Sequence, residues 1–163
     1  MKDKHLRIRV AQCLLLSTAS NCPRRKFGAL LVDPHRNVVL MDGYNGGPRG
    51  GGELCGGHEC LRDTQKVPSG THMEIGCHHA EMNVVCNAAA AGVATRGAWI
   101  IVTGEPCMMC AKMIHHAGIE RVIVVDGGYG GANGCGYLEA HGVEIQRAEG
   151  PRDPRSADDL AGR

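Results

Sequence analysis

Apolar positions along this chain fall in blocks whose spacing switches repeatedly between helical and strand-like, so helices and strands must alternate. Asp3 to Ser20 is an apolar helical pattern that runs out in the turn-like Ser20-Asn21-Cys22-Pro23. Phe27 to Val32 reads as an apolar strand, Asp33-Pro34-His35-Arg36-Asn37 as a turn, and Val38 to Met41 as the hairpin partner. A glycine-rich insertion from Gly43 to about Gly76 follows, too long for an ordinary loop in a compact domain and therefore functional or metal-organised. The alanine-rich stretch from His79 to Ala91 predicts a helix stopped by Gly92. A strand is expected over Ala98 to Thr103, a helix opened at Pro106-Cys107 and ended by Gly118, and a strand over Arg121 to Val125. Gly127 to Gly136 reads as a flexible loop, Leu138-Glu139-Ala140 as a short helix, and Val143 to Gln146 as the last strand. The polar tail from Glu149 onward, with Pro151 and Pro154, is expected to be disordered. A hairpin followed by alternating helices and strands implies an α/β layered domain with a mixed sheet, residues 1–148, without repeats or a second domain.

Composition narrows the partners. With 3% aromatic residues the core must be built from Val, Ile, Leu, Ala and Met. Eighteen basic against 17 acidic residues give a net charge of +1, which argues against a general nucleic-acid surface. No apolar run reaches membrane-span length and MKDKHLRIRV has no signal-peptide pattern, so a cytoplasmic protein is expected. Nine cysteines in such a protein point to metal ligation before disulfides. Cys13 and Cys86, inside apolar helical patterns, are expected to be buried small hydrophobes; Cys135 has no assigned role.

The chemistry concentrates in His79-Ala80-Glu81 and, downstream, Pro106-Cys107-Met108-Met109-Cys110. His79, Cys107 and Cys110 make three ligands, the number a catalytic zinc uses while keeping a fourth position for water. Zinc lowers the pKa of that water from about 16 to about 7. Glu81, two residues from the histidine, is the candidate general base and then general acid. Cys107 and Cys110 share one face at a helix N-terminus, where free N–H groups and the helix dipole favour thiolate. Two helix N-termini are thus expected to meet at one metal. Cys-x-x-Cys alone would fit a redox pair or half of a four-ligand zinc site, and His-x-Glu alone carries almost no information. In this order, each opening a helix, they are specific.

The H-x-E then P-C-x-x-C pattern resembles the zinc deaminase signature. The chain is identified as a member of the cytidine deaminase superfamily and resembles its deoxycytidylate (dCMP) deaminase family over about residues 21–146. The resemblance also rests on Cys22-Pro23-Arg24-Arg25, Phe27-Gly28-Ala29, His79-Ala80-Glu81-Met82-Asn83, Cys110-Ala111-Lys112 and Ala117-Gly118-Ile119. Gly43-Tyr44-Asn45-Gly46-Gly47-Pro48-Arg49-Gly50 points to the dCMP branch in particular. It implies a three-layer α/β/α fold around a five-stranded sheet, zinc on His79, Cys107 and Cys110, and Glu81 as proton shuttle. Asn45 matches an asparagine that contacts the nucleotide in this family, and its amide both donates and accepts; a turn residue beside Gly46 is the plainer alternative. Arg24, Arg25 and Lys26 precede the first strand, where a phosphate cradle would lie, although a solvated basic turn looks the same in sequence. Tyr129 is a candidate for stacking on the base or covering the site.

Some family members are hexamers activated by dCTP and inhibited by dTTP through the Gly-Tyr-Asn-Gly region. That makes Gly43, Tyr44, Gly46 and Arg49 candidate effector contacts, with glycines admitting backbone N–H groups to phosphate. Some members also carry a second zinc using cysteines where Cys22 and Cys55 stand. Cys22, Cys55, His72 and Cys77 are the best four ligands here, with Cys60 or His58 as substitutes, because a metal would close an insertion poor in apolar residues. Reduced cysteines without metal are the alternative. His78 receives no role.

The resemblance implies conversion of dCMP to dUMP with release of ammonia, supplying thymidylate synthesis. A deaminase of dCTP or of a modified cytosine nucleotide would use the same motifs. A tRNA adenosine deaminase shares them too, but near-neutral charge and the Gly-Tyr-Asn-Gly stretch count against it. A zinc-stabilised binding module without catalysis would commonly lack the acidic residue, and Glu81 is present.

Overall fold

The computed structural model describes residues 1–48, 50, 59–68, 71, 76–129 and 134–150, with only the backbone at 126–129. The elements run α1 (Asp3–Ser17), β1 (Gly28–Asp33), β2 (Val38–Tyr44), α2 (Leu61–Thr64), α3 (Ala80–Ala90), β3 (Trp99–Gly104), α4 (Met108–His116), β4 (Arg121–Tyr129), α5 (Gly134–Ala140) and β5 (Glu144–Ala148). One five-stranded sheet has the order β2-β1-β3-β4-β5. β1 pairs antiparallel with β2 and β3, whereas β3–β4 and β4–β5 are parallel. The sheet is mixed, as expected.

Alternation along the strands divides the core into two layers. Leu30, Val32, Ile101, Ile123 and Val125 face α1, where Val10 and Cys13 are fully buried. Ala29, Leu31, Ile100, Val102, Val122 and Val124 face the opposite way, toward Val84 and Ala88 of α3, Ile114 of α4 and Leu138 of α5. The three-layer α/β/α arrangement follows from strands buried on both faces. No helix among the described residues is long and apolar enough to cross a membrane.

Two close approaches fix helices to the sheet. A Cβ on Gly28 would lie 2.5 Å from the Cys13 carbonyl oxygen, so β1 starts pressed against α1. A Cβ on Gly43 would lie 2.7 Å from Val84 N and 2.8 Å from Ala80 O, so β2 meets α3 backbone to backbone.

Several boundaries differ from the sequence expectation. α1 ends at Ser17, because residues 17–20 close a turn through Ser20 N–H to Ser17 O. β2 continues to Tyr44 in register with Gly28, past the expected end at Met41. β4 continues to Tyr129, where Gly104 pairs with it, and α5 begins at Gly134, inside the stretch expected to be a loop. Cys86 is exposed, contrary to expectation. The buried stripe of α3 is Ala80, Val84 and Ala88, and Cys86, two residues beyond Val84, points to the other side of the helix. Cys13 is buried as expected, its thiol donating to Ile101 O at 3.4 Å. Residues 49, 51–58, 69–70 and 72–75 of the insertion, and residues 151–163 of the tail, lie outside the described residues.

Candidate active site

His79 and Cys107 occupy equivalent places, each the N-cap residue of a helix, α3 and α4 respectively. Their backbones are extended (φ −73°, ψ 154° and φ −70°, ψ 167°), so both side chains project past a helix end. Pro106 therefore stands one residue before the N-cap, outside the first turn, setting the entry angle of Cys107. The opposite ends of the same helices close on Gly92 (φ +66°) and Gly118 (φ +70°), the glycines named as stops.

The two helix ends converge. His79 Nδ1 stands 3.5 Å from Cys107 Sγ and 3.5 Å from Cys110 Sγ. Zinc bonded to sulfur at about 2.3 Å and to nitrogen at about 2.1 Å, at tetrahedral angles, sets S···N separations of roughly 3.6 Å. The three donors lie within 4.8 Å of one another, and both S···N separations match ligands of one tetrahedral ion. Among the described residues they are the only such group of three, which is the ligand count of a catalytic centre.

The three donors share their protons unequally, and Cys107 alone is set to lose its own. Cys107 is held far below the ordinary thiol range by a hydrogen bond from the Cys110 thiol, with His79 and the Cys110 backbone N–H helping. His79 is raised, chiefly by its hydrogen bond to Cys107. Cys110 is pushed up, first by that shared bond with Cys107, then by burial and by the Glu81 charge. A cation replacing these protons would relieve the crowding of negative groups.

Glu81 lies in the first turn of α3 and is 7% exposed. Burial pushes its carboxyl up to about 7, partly offset by its own backbone N–H, the charge on His79 and a hydrogen bond from the Cys110 thiol. A carboxyl poised there both accepts and returns protons near neutrality.

Asn45, buried at 3% exposure, uses its amide on the chain itself. Nδ2 donates to Arg25 O at 2.9 Å and Oδ1 accepts from Phe27 N–H at 2.7 Å. One amide N–H and one lone pair remain for other partners. The loop so held carries Arg24, half-buried and paired with Asp63 at 3.2 Å, and the exposed Arg25 and Lys26. Gly46 pairs with His78 through two backbone hydrogen bonds of 3.1 and 2.8 Å, tying the end of the hairpin to the residue before His79. Gly43, named for phosphate approach, packs against α3, and Tyr44 is 42% exposed. Arg49, Cys55, His58 and His72 lie outside the described residues, as does the Tyr129 side chain. Of the remaining second-cluster candidates, Cys22 accepts from Arg25 N–H at 3.5 Å, Cys60 is buried at the N-cap of α2, and Cys77 is half-buried.

Two contributors were not read from sequence. Gly134 packs its α-carbon against Pro106 and Cys107, a contact that no glycine-rich pattern announces. Arg62, in the insertion, is close enough that its charge acts against protonation of His79, while its guanidinium donates to Pro68 O and Thr71 O. No motif surrounds it.

Residues 2–126 match the family model described as the cytidine and deoxycytidylate deaminase zinc-binding region. The chain belongs to the dCMP deaminase family of the cytidine deaminase superfamily. It is 34% identical to ComE operon protein 2 of Bacillus subtilis (strain 168) over 140 residues, covering 86% of this chain and 69% of that one. The deoxycytidylate deaminase of Mycobacterium phage D29 is 36% identical over 110 residues, 64% of this chain and 80% of its own. The chain spans from 40% to 80% of the length of the deoxycytidylate deaminases it matches. Among solved structures, the cyanophage S-TIM5 dCMP deaminase in complex with dCMP and dUMP superposes with a TM-score of 0.75 at 28% identity, over 91% of this chain and 99% of that one.

Proposed function

We propose that this chain is a zinc-dependent dCMP deaminase, converting dCMP and water to dUMP and ammonia. The observation that carries the chemistry is the convergence of His79, Cys107 and Cys110 beside the buried carboxyl of Glu81. The substrate reading is supported by the likeness to the S-TIM5 enzyme with its bound nucleotides.

His79 Nδ1, Cys107 Sγ and Cys110 Sγ would hold the zinc, which supplies a Lewis acid that makes water nucleophilic near neutral pH. Glu81, ionised, takes a proton from the attacking water and passes protons to the ring nitrogen and then to the departing amine. The carbon–oxygen bond forms and the carbon–nitrogen bond breaks at the same ring carbon, so one carboxyl on one side serves every transfer. Its elevated pKa, about 7, suits a group that must be base first and acid afterwards.

The 5′-phosphate is assigned to the loop before β1, with Arg25 and Lys26 exposed there and Arg24 already paired to Asp63. Asn45 holds that loop and offers its remaining N–H and lone pair to the nucleotide, and Tyr129 is proposed to stack on or cover the base. Effector binding of dCTP and dTTP around Gly43, Tyr44, Gly46 and Arg49, a hexameric assembly, and a structural zinc on Cys22, Cys55, His72 and Cys77 belong to the same proposal and rest on the resemblance.

The test is ammonia release from dCMP, dCTP, CMP, 5-methyl-dCMP and deoxycytidine, each with and without dCTP as effector and with Glu81→Gln as control. Rapid, Glu81-dependent turnover of dCMP supports the assignment. Zinc-loaded protein inert toward dCMP overturns it.

A further inference from the structure

The far end of α4 carries a second group of imidazoles that the deamination site does not use. His115 and His116 form its last turn, and His141 follows α5 directly. The His115 and His141 ring centres are 5.3 Å apart with their planes inclined by 59°, so the rings meet at an angle. Tyr137 stacks on His141 at 4.1 Å and meets His115 edge-on at 6.2 Å, so the three rings form one cluster.

The hydrogen bonding sets one ring's tautomer. His141 Nδ1 lies 2.7 Å from the Tyr137 carbonyl oxygen. A carbonyl only accepts, so Nδ1 carries the proton and Nε2 keeps its lone pair when the ring is neutral. A backbone carbonyl on the second nitrogen is the usual support of a metal-binding histidine. Two imidazoles bound to one ion at about 2.1 Å and a tetrahedral angle hold their ring centres roughly 5 Å apart. The observed separation matches. The end of α4, with its outward carbonyls, also favours a cation.

We propose that His115 and His141 form a binding site for a divalent transition metal ion of the imidazole-preferring class, nickel, copper or zinc. Water fills the other coordination positions, since His115 is half-buried and His141 exposed. His116 is not a ligand: its ring stacks beside His115 with 6.4 Å between centres. Eight residues of helix separate Cys107 from His115, roughly 12 Å along the axis, so the two sites are distinct. A metal here would clamp α4 to the end of α5, the helix whose Gly134 seats on Pro106.

The test titrates nickel chloride into zinc-loaded protein by calorimetry, following zinc content in parallel so that exchange at the catalytic ligands is seen. The site predicts one additional nickel per chain without zinc release. His115→Gln and His141→Gln should each weaken it at least tenfold, and His116→Gln should leave it within twofold. Copper(II) bound at one equivalent should show hyperfine splitting from two imidazole nitrogens in electron paramagnetic resonance, and from one in either weakened variant. No additional equivalent, or an additional equivalent unaffected by either substitution, overturns the proposal. The same holds if only one substitution matters, because a single imidazole is not this site. Deamination unchanged in all three variants checks that each remains folded.

Discussion

A Cβ built on Gly134 would lie 2.1 Å from the carbonyl oxygen of Pro106. No side chain fits in that space, so α5 places its first residue directly on the segment that delivers Cys107 to the metal site. Gly134→Ala must push the two apart. The expected cost is about 1–3 kcal/mol by denaturant unfolding, with faster zinc loss to a chelator. Unchanged stability together with unchanged zinc release would mean the segment yields freely and does not position Cys107.

Glu81→Gln preserves the buried volume and removes the proton carrier. One zinc per chain should remain, since Glu81 is not among the three converging ligands. Turnover should fall by about 10²–10⁴ with little change in KM. Metal analysis beside steady-state ammonia release checks both halves, and loss of zinc would place Glu81 among the ligands instead.

Much of this site was legible because its parts are local. His79 and Cys107 each open a helix, and an N-cap side chain must project past the helix end whatever the rest of the chain does. Gly92 and Gly118 end those helices with positive φ, again a property of single positions. The errors are tertiary. Gly134-Cys135-Gly136 looks like loop because glycine is a poor helix former, yet it folds as helix where α4 and Pro106 receive it. Cys86 sits among apolar neighbours in sequence, and only the side of α3 chosen by β2 through Gly43 leaves it exposed. Arg62 acts on His79 from an insertion with no periodic pattern, so nothing short of the fold could bring it there.

Zinc-free protein should show a distinctive pH dependence. Glu81 is raised from 4.5 to about 7 on folding, so the folded state holds its proton more tightly than the unfolded chain. That contribution is fully present below about 4.5 and is lost as pH rises through about 7. The full change is on the order of 3 kcal/mol. Cys107 and His79 titrate as well, so the informative quantity is wild type minus Glu81→Gln. In urea unfolding of the zinc-free forms, this difference should decline across the window, and a flat difference would contradict the buried-carboxyl account.

Asn45 allows the clamp and the substrate contact to be separated. Its side chain bonds both Arg25 O and Phe27 N–H, and its backbone N–H bonds Phe27 O, so one residue fixes the loop before β1 from three directions. Asn45→Ala removes two of these bonds and strips Phe27 N–H of its amide acceptor, at an expected cost of about 1–3 kcal/mol. Asn45→Asp keeps an acceptor for Phe27 but turns a second oxygen toward the Arg25 carbonyl, so it should not restore stability. If the clamp is the main role, KM for dCMP rises as the Arg25 and Lys26 loop loses its anchor, and kcat changes less. Denaturant unfolding and steady-state kinetics on both variants decide between the roles. Full stability with collapsed kcat/KM would assign Asn45 to the nucleotide directly, whereas parallel losses in stability and KM follow from the hydrogen bonds described here.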